Sequence, residues 1–426
     1  MSIPITDNNR NSLTNPVLDN PFELTLGTVI LVVFGMFMLL FGLLRFRIQT
    51  GELPFNPDSA YGLLLVLCSI QMITLGKTPF GTFHRNWILI ILGFSTAILG
   101  TGACFIPGFL AGIIPELVGI LMITGGFVLF LHLLFSKGRA QEWIRVPGIL
   151  QHLTFACGFV YLTEILFGLV ILFPWFFSGV SASLLSLVFS VSLFYLAWCI
   201  QKVSLVYPQK ETADQTNSSV SHSKNRLFQV LFLEEVPLSI PVSFLLLLGV
   251  IFTECAVLLI PVSQGLYPFS RDSQFGLLMV IMAIQVLALG KTPLGVYKRS
   301  WILILIGLVV VSLGIYSCII PGLLTGWMFF SLGIWNVITG STGLGKILHP
   351  VVRTIQNPPD DLVFPSPAKK KLLRMVIILH LLTILFGINL IIPGLIPGEI
   401  VLGNLFILGI LLILLAGMLG KVPTTV

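Results

Sequence analysis

The chain reads as an all-α integral membrane protein of about twelve transmembrane helices, arranged as six hairpins in two parallel-repeated halves. Three observations predict this. Of the 426 residues, 56% are hydrophobic and only 9% charged, whereas soluble domains carry about 25% charged residues. The apolar runs are continuous, as in Leu372–Leu419, and long enough to supply the ~20 residues a helix needs to cross ~30 Å of hydrocarbon; barrel strands would instead alternate over about 10 residues. Finally, Tyr61–Leu89 and Phe275–Leu303 align without a gap at a constant offset of 214, with 16 of 29 positions identical. The sharpest part is LGKTPFGTFHR (Leu75–Arg85), repeated as LGKTPLGVYKR (Leu289–Arg299). Chance does not produce such a match, so the chain is a tandem duplication.

In chain order, residues 1–24 are polar and rich in Asn and Pro. They lack the basic-then-apolar order of a cleaved leader and read as a short tail. Spans follow at residues 25–45, 61–75, 87–106, 116–135, 152–173 and 180–200. A Ser-, Asn- and Lys-containing linker, residues 204–239, precedes spans at 240–261, 275–289, 301–320, 327–345, 375–392 and 398–419. The first six-helix repeat is 25–203 and the second 240–422. The two short spans, 61–75 and 275–289, end at LGKTP, where Gly and Pro stop a helix and Lys77 or Lys291 can reach the headgroups. Five of the six hairpin turns carry proline: Pro107-Gly108, Pro174, Pro261, Pro321-Gly322 and Pro393-Gly394. Pro-Gly after an apolar run supplies a helix stop and a residue free to adopt positive φ.

Charge predicts orientation. Of the 23 Lys and Arg residues, all but Arg45, Arg47 and Arg271 fall at the termini and in the connections between hairpins. The positive-inside bias places both termini and those connections in the cytoplasm. The net charge of +6 follows from this bias and calls for no nucleic acid. Lys369–Lys371 abuts a span and reads as an anchor or an anionic-lipid contact. The third hairpins of the halves also correspond, Ile165–Gly168 with Ile384–Gly387, at offset 219. An even number of spans per half makes the repeat parallel rather than inverted.

The second hairpin of each half carries Trp87, Gly93, Gly100, Pro107-Gly108, Gly119 and Gly125-Gly126, repeated as Trp301, Gly307, Gly314, Pro321-Gly322, Gly333 and Gly340. This aromatic start, glycine spacing and proline turn resembles the short-repeat helical hairpin of HdeD-like membrane proteins, whose members have six spans as three hairpins. The resemblance implies two such units fused, a bacterial inner-membrane location and a link to acid stress. It carries no active-site residues onto this chain.

Candidate chemistry is sparse. Gly76-Lys77-Thr78 resembles the end of a phosphate-binding loop, but the first glycine of that motif falls on Gln71, and on Gln285 in the repeat; nucleotide binding is excluded. Gln71 and Gln285 are intramembrane amides, expected either to bond a neighbouring helix or to face a site. Glu164 and Glu254 lie roughly 15 and 10 Å below the outer turns, and a charged acid at mid-bilayer costs about 3 kcal/mol. They read as protonatable groups, with His380 as a candidate companion, or as hydrogen-bonded structural groups. Glu116 and Glu399 begin helices, where a carboxylate complements the positive end of the helix dipole. The six cysteines are scattered without a CxxC pair and read as buried small residues. No metal cluster, cofactor motif or catalytic constellation appears, so the chain is expected not to be an enzyme. Lys77 and Arg85 with Lys291 and Arg299 form a candidate cytoplasmic basic docking surface for a protein partner or anionic headgroups. Two functions compete: a structural, partner-binding or stress-related membrane protein, and a secondary transporter or proton-coupled permease with its site between the halves.

Overall fold

The computed structural model describes residues 24–74, 86–110, 112–135, 148–206, 240–288, 291–292, 295–296, 301–322, 325–356 and 367–419. Within these are twelve helices: α1 (Leu26–Gln49), α2 (Pro57–Thr74), α3 (Trp87–Phe105), α4 (Ile113–Phe135), α5 (Ile149–Leu172), α6 (Gly179–Val206), α7 (Ile240–Ser263), α8 (Arg271–Ala288), α9 (Trp301–Ile319), α10 (Thr325–Gln356), α11 (Pro367–Ile391) and α12 (Gly398–Leu419). Among the described residues, all but α8 and α10 are long and apolar enough to cross a membrane. The chain is thus a helical, polytopic membrane protein. The second LGKTP contributes a two-residue antiparallel ribbon, Lys291 opposite Val296 and Thr292 opposite Gly295.

Local chemistry explains the helix ends. Thr25 accepts the Thr28 backbone N–H at 3.2 Å and Asn86 accepts that of Leu89 at 3.2 Å, each satisfying an otherwise orphaned donor. Gly108, Gly322 and Gly394 adopt φ of 79°, 89° and 87°, as the Pro-Gly turns require. Two of these turns are tied down by an aspartate at the start of another helix. Gly108 N–H donates to Asp58 Oδ2 at 2.8 Å, and Gly322 N–H to Asp272 Oδ2 at 2.7 Å. One expected turn is corrected. Pro261 lies inside α7, which runs on to Ser263, and the chain reverses at Gly265 with φ 73°. Proline near a helix C-terminus loses a single hydrogen bond, so the helix survives it for a few residues.

Helices joined within the six expected hairpins are not the ones that lie closest. The tight pairs are α1–α6, α2–α3 and α4–α5, then α7–α12, α8–α9 and α10–α11. By contrast α3–α4, α7–α8 and α9–α10 touch little. The closest pairs thus follow the connections between successive hairpins and join the first and last helix of each half. Glycine decides this. A Cβ on Gly62 would sit 2.7 Å from the Gly100 carbonyl oxygen, and one on Gly276 2.5 Å from that of Gly314. Gly119 and Gly168 bring α4 and α5 together in the same way, as Gly333 and Gly387 do for α10 and α11. Lipid provides no hydrophobic drive between helices, so close backbone approach supplies the dispersion contact that holds them.

The centre consists of α1–α3 against α7–α9. The short helices α2 and α8 are its most enclosed elements: Leu63, Leu64, Leu65 and Val66 are fully buried, and Leu277–Ile281 nearly so. Among the described residues, two backbone hydrogen bonds join the halves as a matched pair. Asn56 N–H donates to the Ile319 carbonyl at 3.1 Å, and Ser270 N–H to the Phe105 carbonyl at 3.0 Å. Each pair maps onto the other at the offset of 214, so the contact is reciprocal, like an isologous dimer interface within one chain.

Replacing Gly62 or Gly276 with valine is expected to lower stability by about 1–3 kcal/mol through overpacking. Gly417→Ala, where no atom lies within 4 Å of the added Cβ, should be neutral. Thermal unfolding of the detergent-solubilised protein, followed by circular dichroism, checks both.

Candidate functional site

A cavity of about 420 Å³ lies inside the second half, bounded by α7, α8, α10, α11 and α12, with Leu303 of α9 at its edge. Its inner wall is apolar: Phe252, Phe386, Leu408 and Leu412. Its polar groups come mainly from α10, where Asn336, Thr339, Thr342 and Lys346 recur at spacings of three and four and so share one helical face. Asn336 is only 5% exposed. Its amide donates to the Leu332 carbonyl at 2.8 Å and meets Met282 Sδ at 3.7 Å, which uses its donors and leaves its oxygen as the acceptor. The Thr339 hydroxyl donates to Trp335 O at 2.8 Å and that of Thr383 to Leu379 O at 2.8 Å. These bonds pin both hydroxyls to their own helices, as intramembrane threonines commonly are.

The structure sorts the sequence-predicted residues into different places. Gln285 on α8 and His380 on α11 both line this cavity. His380 rests against Gly343 of α10, where any Cβ would collide with the imidazole. Its Nε2 is shielded from solvent and has no hydrogen-bond partner among the described residues. Glu164 is elsewhere, on α5, with Oε1 3.5 Å from the position a Cβ on Gly125 of α4 would take. Glu254 is on α7, partly buried, and its Oε2 has no partner among the described residues. Gln71 is partly buried near the end of α2. Glu164, Glu254 and His380 thus form no common cluster. Lys77, Arg85 and Arg299 lie outside the described residues, as does the side chain of Lys291.

Asn336, Thr339, Thr383, Trp335 and Lys346 were not singled out from sequence. The signal was present in the three-and-four spacing of polar residues along α10, but each residue alone looks like an ordinary small polar group in a membrane helix. Other polar contacts stand apart from the cavity. Tyr195 Oη lies 2.9 Å from His152 Nδ1, and Lys202 Nζ stands 4.9 Å from the Trp198 ring centroid. This aromatic and cationic cluster at the end of α6 fits the membrane–water boundary. The six cysteines are buried and free. Cys104 and Cys318 donate to the Ser59 and Ser273 carbonyls, each at 3.4 Å, so they act as small residues with a local bond.

No known protein family, characterised protein or solved structure matches this chain.

Glu254 stands where the first repeat has Leu40. A buried unpartnered polar atom costs about 1–3 kcal/mol. Glu254→Leu is therefore expected to raise the unfolding temperature in detergent, whereas a carboxyl that holds an ion or solute would make the same substitution neutral or destabilising.

Proposed function

We propose that the chain is a non-enzymatic polytopic membrane protein of the HdeD-like type, built as two parallel-repeated six-helix halves, with a structural, partner-binding or stress-related role. The observation that carries this reading is the reciprocal closure between the halves, in which Asn56 and Ser270 make equivalent backbone bonds to Ile319 and Phe105. The equivalent glycine contacts at Gly62–Gly100 and Gly276–Gly314 support the same repeat. An interface built of interdigitated apolar side chains and backbone contacts favours a body that holds its shape. A permease with its site between the halves would need polar groups gathered there. Instead Gln285 and His380 line a cavity within the second half and Glu164 lies within the first, so that of these groups Glu254 is the one that comes near the other half, beside Cys104.

The bias of Lys and Arg supports the cytoplasmic membrane as the location, with both termini on the cytoplasmic side. The bilayer itself, anionic lipids and a cytoplasmic or membrane protein are the partners this reading calls for, with the basic residues Lys77, Arg85, Lys291 and Arg299 as the docking surface. Proteoliposomes loaded with a pH-sensitive dye are the test. Proton and solute flux are expected to be the same for the wild type, Glu164→Gln and Glu254→Gln. A flux that depends on either carboxyl would overturn the scaffold reading. Charge reversal at the four basic positions is expected to reduce co-purifying anionic lipid or protein several-fold while leaving the thermal unfolding curve in place.

A further inference from the structure

The duplication provides an internal comparison for the cavity. At the offsets of 214 and 219, Gly343 corresponds to Leu129, His380 to Tyr161, Leu408 to Phe189 and Asn336 to Met122. In the first half Tyr161, Phe189 and Met122 are buried, Phe189 completely. Each of the four is larger or less polar than its counterpart. The same scaffold therefore fills this space with side chains in one copy, while the other copy has smaller and more polar residues around an open volume. Small residues at packed positions cost stability through lost contacts, so an open volume where the corresponding residues of the first half are larger calls for an occupant.

The lining states the chemistry of that occupant. From Asn336 to Lys346 is ten residues of α10, about 15 Å along the helix, which is half of a ~30 Å hydrocarbon layer. Lys346 is exposed at one end of this stripe and brings a positive charge. The buried Asn336 lies at the other end, beside Gly387 and so next to Phe386, since a Cβ on Gly387 would sit 2.9 Å from Asn336 Cβ; Phe252 and Leu408 add apolar lining. Gln285 contributes an amide along the wall, and His380 an imidazole nitrogen without a partner among the described residues. A site graded from cation through polar groups to a greasy end matches a molecule graded in the opposite sense. The volume of about 420 Å³ is toward the small end of ligand sites, which run about 300–1,000 Å³. That suits one chain with its head rather than a whole two-chain lipid.

We propose that this cavity binds a single-chain anionic amphiphile, with its carboxylate or phosphate head near Lys346 and its acyl chain directed past His380 toward Phe386 and Leu408. The first-half residues supply the test, since they already fit this fold. Radiolabelled palmitate binding to the full-length protein in nanodiscs of uncharged lipid is expected to fall at least tenfold in Leu408→Phe and in Asn336→Met, each of which restores the residue found in the filled copy. Lys346→Gln is expected to weaken palmitate several-fold and leave the uncharged hexadecanol unchanged. Competition by palmitate against lysophosphatidate identifies the head, and the one that displaces the other at the lower concentration marks the source as a free fatty acid or a lysolipid. Brominated palmitate should also quench the fluorescence of Trp335, which lines the cavity, and the quenching should disappear in Trp335→Phe. Equal palmitate binding by the wild type and both filling variants would overturn the proposal. So would a Lys346→Gln effect of the same size on palmitate and hexadecanol. Unfolding temperatures measured on the same samples separate loss of binding from loss of fold: a filling variant that binds less while unfolding at or above the wild-type temperature supports the site, and one that binds less only because it is unfolded is replaced by the other.

Discussion

Everything in this protein depends on how closely two helices can approach in lipid. Water expels apolar side chains and so drives a soluble core together, but a hydrocarbon solvent accepts those side chains as readily as another helix does. What remains is contact at short range. Glycines provide it by letting one backbone rest on another: Gly62 on Gly100, Gly276 on Gly314, Gly119 on Gly168 and Gly333 on Gly387. Each falls on a helix pair that the structure brings closest. Where a glycine is absent, a hydroxyl takes over, as Ser190 does in bonding to the Gly35 carbonyl at 2.8 Å between α6 and α1.

The same constraint accounts for the shape of the centre. With α2 tied to α3 and α8 to α9, the two short helices are enclosed, and the free backbone groups at their starts reach the ends of helices in the opposite half. Asn56 and Ser270 satisfy their N–H groups on Ile319 and Phe105, where an unpaired donor in a dry interior would be costly. The aspartates two residues further on, Asp58 and Asp272, hold the Pro-Gly turns by accepting from Gly108 and Gly322 N–H. A single junction, made twice, thus secures helix starts, turns and the contact between halves.

Polarity is distributed unequally over this nearly symmetric frame. The first half buries Tyr161, Phe189 and Met122, while the second has His380, Leu408 and Asn336 at the corresponding places and a cavity among them. The two halves tolerate such differences because the glycine seams, not the side chains facing the cavity, hold the helices. Residues away from the seams are free to change.

Much of this was legible in the chain itself. Composition and run length determine a helical membrane protein, because no other structure satisfies its own backbone in lipid except a barrel. The repeated LGKTP stretch fixes the register at which the two halves align, and Pro-Gly after an apolar run determines where the chain reverses. Gln285 and His380 were recognisable as unusual groups in apolar surroundings. Their neighbours were not: that Gln285 shares a cavity with His380 while Glu164 faces Gly125 depends on which face of each helix meets which partner. Spacing along one helix states what lies on a common face but not what that face touches. Only the tertiary structure decides that α2 lies against α3 and α1 against α6, because the choice rests on whether glycines far apart in sequence come into register, a matter of three-dimensional fit that no single stretch of residues contains.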